Sequence, residues 1–280
     1  AGLLLNGGAL RATASFTIDD SNRGITLGAS GGAFDVLNVG DTLTIANSIT
    51  GAGDLTKTGA GTLALSGSHS YTGDTVVSEG ALAIGASDAL PTATALVLGG
   101  GMDSATVGHV TMGSFSQTVN SVQFLSNTAT ANTVTIGAGQ TLTITGEGSL
   151  KLGQGSPLLR GRTTNATFSG GGSLNVDNTA GTIDVGFRND DQNETGNYAT
   201  LDLRGLGSFT ANVDQLRVGY GSRIGSTLYL SDTDNTITAN AIHVSNSLAV
   251  NAYAGLLVLG TGGNTIHADT INIGLGKGAG

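Results

Sequence analysis

The acidic residues are the first groups in this 280-residue chain whose spacing suggests chemistry. Asp190, Asp191 and Glu194 crowd into GFRNDDQNETGNY beside Arg188. Carboxylates gathered with a base on one face are what acid–base attack on a polysaccharide, or capture of a cation, requires. Asp232 and Asp234, in SDTDN, alternate oxygen ligands as in half of a calcium loop. They lack the following glycine and the distant bidentate glutamate, so a turn held by Asx hydrogen bonds is the expectation there, and a solvated loop at 190–194. These five acids are the cation candidates; no catalytic, cofactor-binding or firm metal set is expected.

Other groups carry less. His69, His109, His243 and His267 are scattered, and the last two are closer in sequence than the period with which their strands repeat, so they do not share a column. This argues against a metal site or a shared base. The closing GLGKGAG has glycines and Lys277 but neither the spacing nor the hydroxyl residue of a phosphate loop. Tyr198, Tyr220, Tyr229 and Tyr253 would stack on sugars only if they shared a face, and their uneven spacing argues for separate half-buried rings. Thr133-Val-Thr135 and Thr141-Leu-Thr143 have the hydroxyl spacing of an ice-matching surface, but no row of such pairs repeats in register through the sequence.

Composition sets bounds on all of these. Glycine occurs 47 times, proline twice, and charged residues make up 11%, far below the roughly 25% of an ordinary globular domain. Hydrophobic residues still reach 39%, in short ordered runs, so the chain can bury a core. A net charge of −9 with dispersed basic residues excludes nucleic acid and anionic lipid as expected partners. Without cysteine there are no disulfides or thiolate metal sites, which suits export through an oxidising compartment. No run approaches the roughly 18 apolar residues of a membrane-spanning helix, so this segment is not expected to insert.

The elements that must position any site are strands. Leu43-Thr-Ile45, Leu63-Ala-Leu65, Leu82-Ala-Ile84, Leu142-Thr-Ile144 and Ile183-Asp-Val185 each present two apolar residues on one face, and only residues 85–90 suggest a turn of helix. In LTKTGAGTLALSG, residues 55–67, Leu63 and Leu65 are expected inward, Thr62 and Ala64 outward, with Gly59, Gly61 and Gly67 at bends or small-residue positions. Such strands are too short to stand alone. A long period supplies their support: NTITANAIHVSNS from Asn235 returns as NTIHADTINIGLG from Asn264. The shift drifts elsewhere, slightly shorter from Leu201 to Leu228 and longer from Val185 to Val218, as loops of variable length between fixed strands would make it. Three strands per period, at residues 228–230, 236–239 and 242–244, make a triangular coil. The expectation is all-β, a single-stranded parallel β-helix (β-solenoid) spanning 1–280 as one domain, with about nine or ten coils and a rod of order 45 Å.

Residues 51–86, GAGDLTKTGAGTLALSGSHSYTGDTVVSEGALAIGA, resemble the autotransporter-associated β-strand repeat of bacterial autotransporter passengers and large surface proteins. The matching positions are Gly51, Gly53, Leu55, Lys57, Gly59, Gly61, Leu63, Leu65, Gly67, Tyr71, Thr72, Gly73, Thr75, Gly80 and Leu82. The resemblance implies a right-handed β-helix, displayed on the outer cell surface or released extracellularly, with the repeat serving transport and passenger folding rather than catalysis. Beyond about residue 100 only the Gly-and-Thr style persists.

Neither end of the sequence is expected to be capped: Ala1-Gly2-Leu3-Leu4-Leu5 reads as an inward strand and Gly278-Ala279-Gly280 ends before the next one. A piece of a longer solenoid, or head-to-tail association of subunits, accounts for this. Function is expected to be structural or adhesive, as a stalk, adhesin or fibre subunit without enzymatic activity or cofactor, meeting a host or glycan surface. The alternative is a polysaccharide-binding or polysaccharide-degrading β-helix, which needs acids and aromatics from neighbouring coils to converge.

Overall fold

The backbone hydrogen bonds of a very short strand can be satisfied only by neighbours above and below, and this requirement organises the molecule. The structure is a computed structural model that describes residues 2–20, 22–153, 161–187, 197–221, 224–245 and 254–274. Every pairing between its strands is parallel, apart from an isolated antiparallel bridge between Gly137 and Gly171, and the described residues contain no helix. Residues 85–90 form a turn instead of the expected helical one, with Asp88 in the left-handed region at φ 49° and its N–H donated to the Ser116 carbonyl.

Three sheets wrap one core. A three-stranded sheet joins Leu3–Leu5, Ile25–Leu27 and Ile49–Gly51; a ten-stranded sheet runs in chain order from Phe16–Ile18 to Gly255–Val258; a 13-stranded sheet runs from Gly8–Ala12 to Gly263–Ile273. Successive strands of one sheet are separated by visits to the others, which makes the chain a parallel β-helix, right-handed as parallel crossovers are. The register places Leu201 beside Leu228, Leu228 beside Leu257, Val185 beside Val218 and Asn235 beside Asn264, the pairs the sequence period picks out.

Coil length varies because one corner absorbs it. Leu43, Leu63 and Leu82 are successive register partners separated by short coils, whereas a much longer one separates Leu152 from its partner Val185. The added residues leave between the 13-stranded and ten-stranded sheets: Val77 and Gly80 are nearly adjacent there, but Leu152 and Thr163, and in the next coil Phe187 and Asn197, bound long connections. The acid-rich segment 188–196 lies in the second of these, outside the described residues.

Toward the C-terminus the triangular coil loses a corner. The two strands expected at 236–239 and 242–244 are one strand, Asp234–Val244, and Ser173–Phe187 and Ser208–Tyr220 are likewise continuous. Pairing resumes on both sides of a single skipped position, with Val213 beside Ala239 and Gln215 beside Ala241. Asp214 and Asn240 occupy the bend, and the Asn240 amide donates to the Asp214 carboxylate at 2.9 Å. A side-chain ladder thus turns the corner that glycine turns in earlier coils.

Inside, like residues stack about 4.8 Å apart in columns. Leu43, Leu63, Leu82, Val110, Val134 and Phe168 form one along the ten-stranded sheet, all fully buried. Phe168 meets Phe124 edge to face at 5.8 Å. Glycine is required where rungs touch. A Cβ on Gly61 would lie 2.5 Å from Val36 Cγ1, 2.6 Å from the Asn38 carbonyl oxygen and 2.8 Å from that of Asp41. Gly40, at φ +90°, has open space around it. Gly61→Ala is therefore expected to destabilise by about 2–3 kcal/mol through overpacking, and Gly40→Ala by roughly 1–2 kcal/mol through backbone strain alone. Guanidinium unfolding midpoints of the two variants check the order; equal losses would contradict it.

Candidate functional site

The stretch with the densest special positions, residues 51–86, closes two of the shortest coils around a buried lysine. Alternation from Leu55 puts Lys57 on the inward face, in the column between Phe34 and Val77, where an apolar side chain would be expected. Lys57 is fully buried, and its Nζ donates to the carbonyls of Thr58 (2.7 Å), Gly59 (2.7 Å) and Glu79 (3.2 Å). Burial lowers its pKa to about 8, against the opposing pull of Glu79 and Asp35. The ammonium ties the corner of one rung to that of the next. Gly59 and Gly80 stack at this corner with φ of +74° and +72°, and a Cβ on Gly80 would strike the Gly59 carbonyl.

A second polar chain crosses the opposite side of the repeat. Buried Tyr71 shares a 2.6 Å hydrogen bond with Thr75 Oγ1, which lies 3.0 Å from Thr94 Oγ1, and Thr94 donates to the Gly73 carbonyl at 3.0 Å. Desolvation raises the Tyr71 pKa well above the ordinary phenol range, so the ring stays neutral. The Thr72 N–H donates to the Gly51 carbonyl of the coil below at 2.9 Å. Leu55, Leu63, Leu65 and Leu82 fill the core, and Gly51, Gly53, Gly67 and Gly73 line the remaining corners. His69 accepts the Ile49 N–H on Nδ1 at 3.1 Å, while its buried Nε2 has no partner. Burial lowers its pKa to about 4.

The acids do not converge. Asp190, Asp191 and Glu194 fall outside the described residues, as do Arg188, Tyr253, Lys277, Ala1 and the closing residues 278–280. Asp232 and Asp234 are exposed at a corner in which Ser231 Oγ accepts the Thr233 N–H and donates to the Leu206 carbonyl, and Asp232 accepts the Thr261 N–H at 3.3 Å. Among the described residues no group of three or more His, Asp or Glu side chains could hold a metal ion. The histidines sit apart: His109 bonds Thr133 Oγ1 at 2.8 Å, His243 lies between Arg217 and Asn272, and His267 lies beside Thr238.

The tyrosines do not make a platform either. The guanidinium of Arg204 covers the Tyr229 ring at 4.4 Å, and Tyr220 stacks on Phe187 at 5.7 Å and meets an edge of His243 at 5.2 Å. Tyr198 stands half-exposed on a different sheet from Tyr220. The pairs Thr133/Thr135 and Thr141/Thr143 lie on different sheets and do not stack on one another. A single outward column, Thr118, Thr143, Asn175, Thr210, Thr236 and Thr265, runs across successive coils. Unequal coil lengths hide this column in the sequence.

Comparison with known proteins agrees with this geometry. Residues 55–84 match the family model of the passenger-associated transport repeat. A stretch of 75 residues, 27% of the chain, is 49% identical to 2% of the adhesin BmaC autotransporter of Brucella suis biovar 1 (strain 1330). Another of 38 residues, 14% of the chain, is 66% identical to 4% of an extracellular serine protease of Serratia marcescens. The matches thus span a few hundredths of those relatives. No solved structure matches the chain. The chain is passenger-like, a parallel β-helix carrying a passenger transport repeat.

Two outcomes follow for the repeat. Lys57→Ala removes both the packing and three carbonyl contacts, and is expected to cost about 2–4 kcal/mol by chemical denaturation. For His69 the folded pKa of about 4 lies below the ordinary 6.5, so the unfolded chain takes up the proton first as pH falls. Its contribution is intact above about pH 6.5 and declines toward pH 4, by roughly 3 kcal/mol in all. Stability measured against pH should show that loss in the native chain and its absence in His69→Asn.

Proposed function

We propose that the chain is part of a secreted or surface-displayed bacterial passenger in which the β-helix acts as a stalk with adhesive faces and performs no catalysis. The observation that carries this reading is the transport repeat built without interruption into the stack of rungs: residues 55–84 share both sheets and core columns with the coils before and after them. The matched relative that is named an adhesin supports it. Rigidity along the axis follows from continuous backbone ladders, and this suits a shaft that holds a binding surface away from a cell.

End-to-end association belongs to the same proposal. The last described rung exposes Leu256, Ile271 and Ile273 around an apolar hollow of about 330 Å³, a surface on which a further coil would lie. In sedimentation experiments the isolated chain is expected to associate as concentration rises, and Ile271→Asp to reduce that association.

Beads coated with the purified chain test the adhesive reading directly. They are expected to adhere to cultured epithelial cells above the level of albumin-coated beads, without releasing reducing sugars from a panel of polysaccharides. Absence of adherence, or hydrolysis of any polysaccharide, would contradict the proposal.

A further inference from the structure

Four successive passages of the chain round the corner between the 13-stranded and ten-stranded sheets converge on Arg162. It closes the connection from Leu152 to Thr163, and it is met there by Met102 and Asp103, by Ser126 and by Asn197, which belong to the two passages before it and the one after. The residue is only 7% exposed. Its Nη2 reaches the carboxylate of Asp103, a side chain that is itself 79% exposed, so this partner stays mostly in water and compensates the buried cation only in part. Nε and Nη1 are buried and have no hydrogen-bond partner. Burial accordingly pulls the guanidinium pKa down from its ordinary value.

Arg162 lines a cavity of about 10 Å³, room for one water molecule or one small ion, whose other walls include Met102, Phe124, Ser126, Thr164 and Asn197. The oxygens on these walls are already engaged. Asn197 Oδ1 accepts the Arg162 N–H at 3.0 Å, the Thr164 hydroxyl donates to the Ser126 carbonyl at 2.7 Å, and Ser126 Oγ accepts the Asn132 amide at 2.9 Å. What remains unpaired is a set of donors on a positively charged group. A water molecule would bring two hydrogens of its own to a wall with few acceptors to receive them, and a metal ion would be repelled by the guanidinium. An occupant that only accepts, and carries negative charge, matches both the donors and the size.

We propose that this corner binds one chloride ion through the N–H groups that Asp103 leaves unpaired, and that the ion fastens the four passages to one another. The corner is the place where coil length varies, so a shared ion supplies there the contact that uniform short coils make by themselves. Because it binds the folded corner and not the unfolded chain, chloride stabilises the fold by mass action. This site is independent of the adhesive reading.

Chlorine-35 magnetic resonance of the purified chain provides the test in solution. The chloride line is expected to broaden with protein concentration, to narrow again as bromide competes, and to lose most of that broadening in Arg162→Gln. Crystals grown in sodium bromide are expected to show an anomalous scattering peak in the cavity beside Arg162. Broadening unchanged in Arg162→Gln, or a cavity peak without anomalous signal, as water would give, would each overturn the proposal. So would a bromide peak without broadening in solution, which marks an ion held at crystal concentration only. Should Arg162→Gln fail to fold, the bromide competition and the anomalous map decide the matter on the native chain.

Discussion

Each rung depends on the pairing of its backbone with the rungs on either side. A strand this short cannot retain its hydrogen bonds in water by itself, yet in the stack both of its edges are satisfied and its inward side chains lie on continuous columns. The other features serve this contact. Glycines stand where rungs approach too closely for a Cβ, as Gly61 does over Val36. Asparagines replace them where a side chain can imitate backbone: buried Asn235 donates to the Ser231 carbonyl at 2.7 Å and to Asn264 of the next rung at 3.0 Å.

The same constraint explains where diversity is permitted. Length can change only at a corner, since any change within a strand shifts its register and turns core residues outward. The corner between the two larger sheets takes up the variation, from the close approach of Val77 and Gly80 to the long connection between Phe187 and Asn197. The short, uniform coils lie within the transport repeat, where Lys57, and Tyr71 by way of Thr75 and Thr94, fasten successive turns by polar contacts inside the core. Buried polar groups of this kind cost more when misplaced than apolar ones, so they favour one register over its neighbours.

Much of the fold was legible because the inward and outward alternation, and the echo of Asn235 in Asn264, are direct images of strand and coil. The fused strand Asp234–Val244 was not, because its bend is made by Asn240 and Asp214, residues that also mark ordinary loops. Nor was Lys57 recognised as a core residue, although its position two after Leu55 carried the signal; charge argued for the surface and register prevailed. The outward column from Thr118 to Thr265 was hidden for another reason. Its members lie a full coil apart in sequence, at intervals that vary with the corner loops, and only the pairing of each rung shows that they are neighbours.

Cross-linking in this cysteine-free chain tests the register stacking most directly. Thr210 and Thr236 face outward on adjacent rungs, and Thr265 lies one rung further. Cysteines placed at 210 and 236 should join on mild oxidation, because rungs about 4.8 Å apart fall within disulfide reach, while cysteines at 210 and 265 should remain free. Failure of the first pair to join, or equal joining of the second, would contradict the stacked architecture.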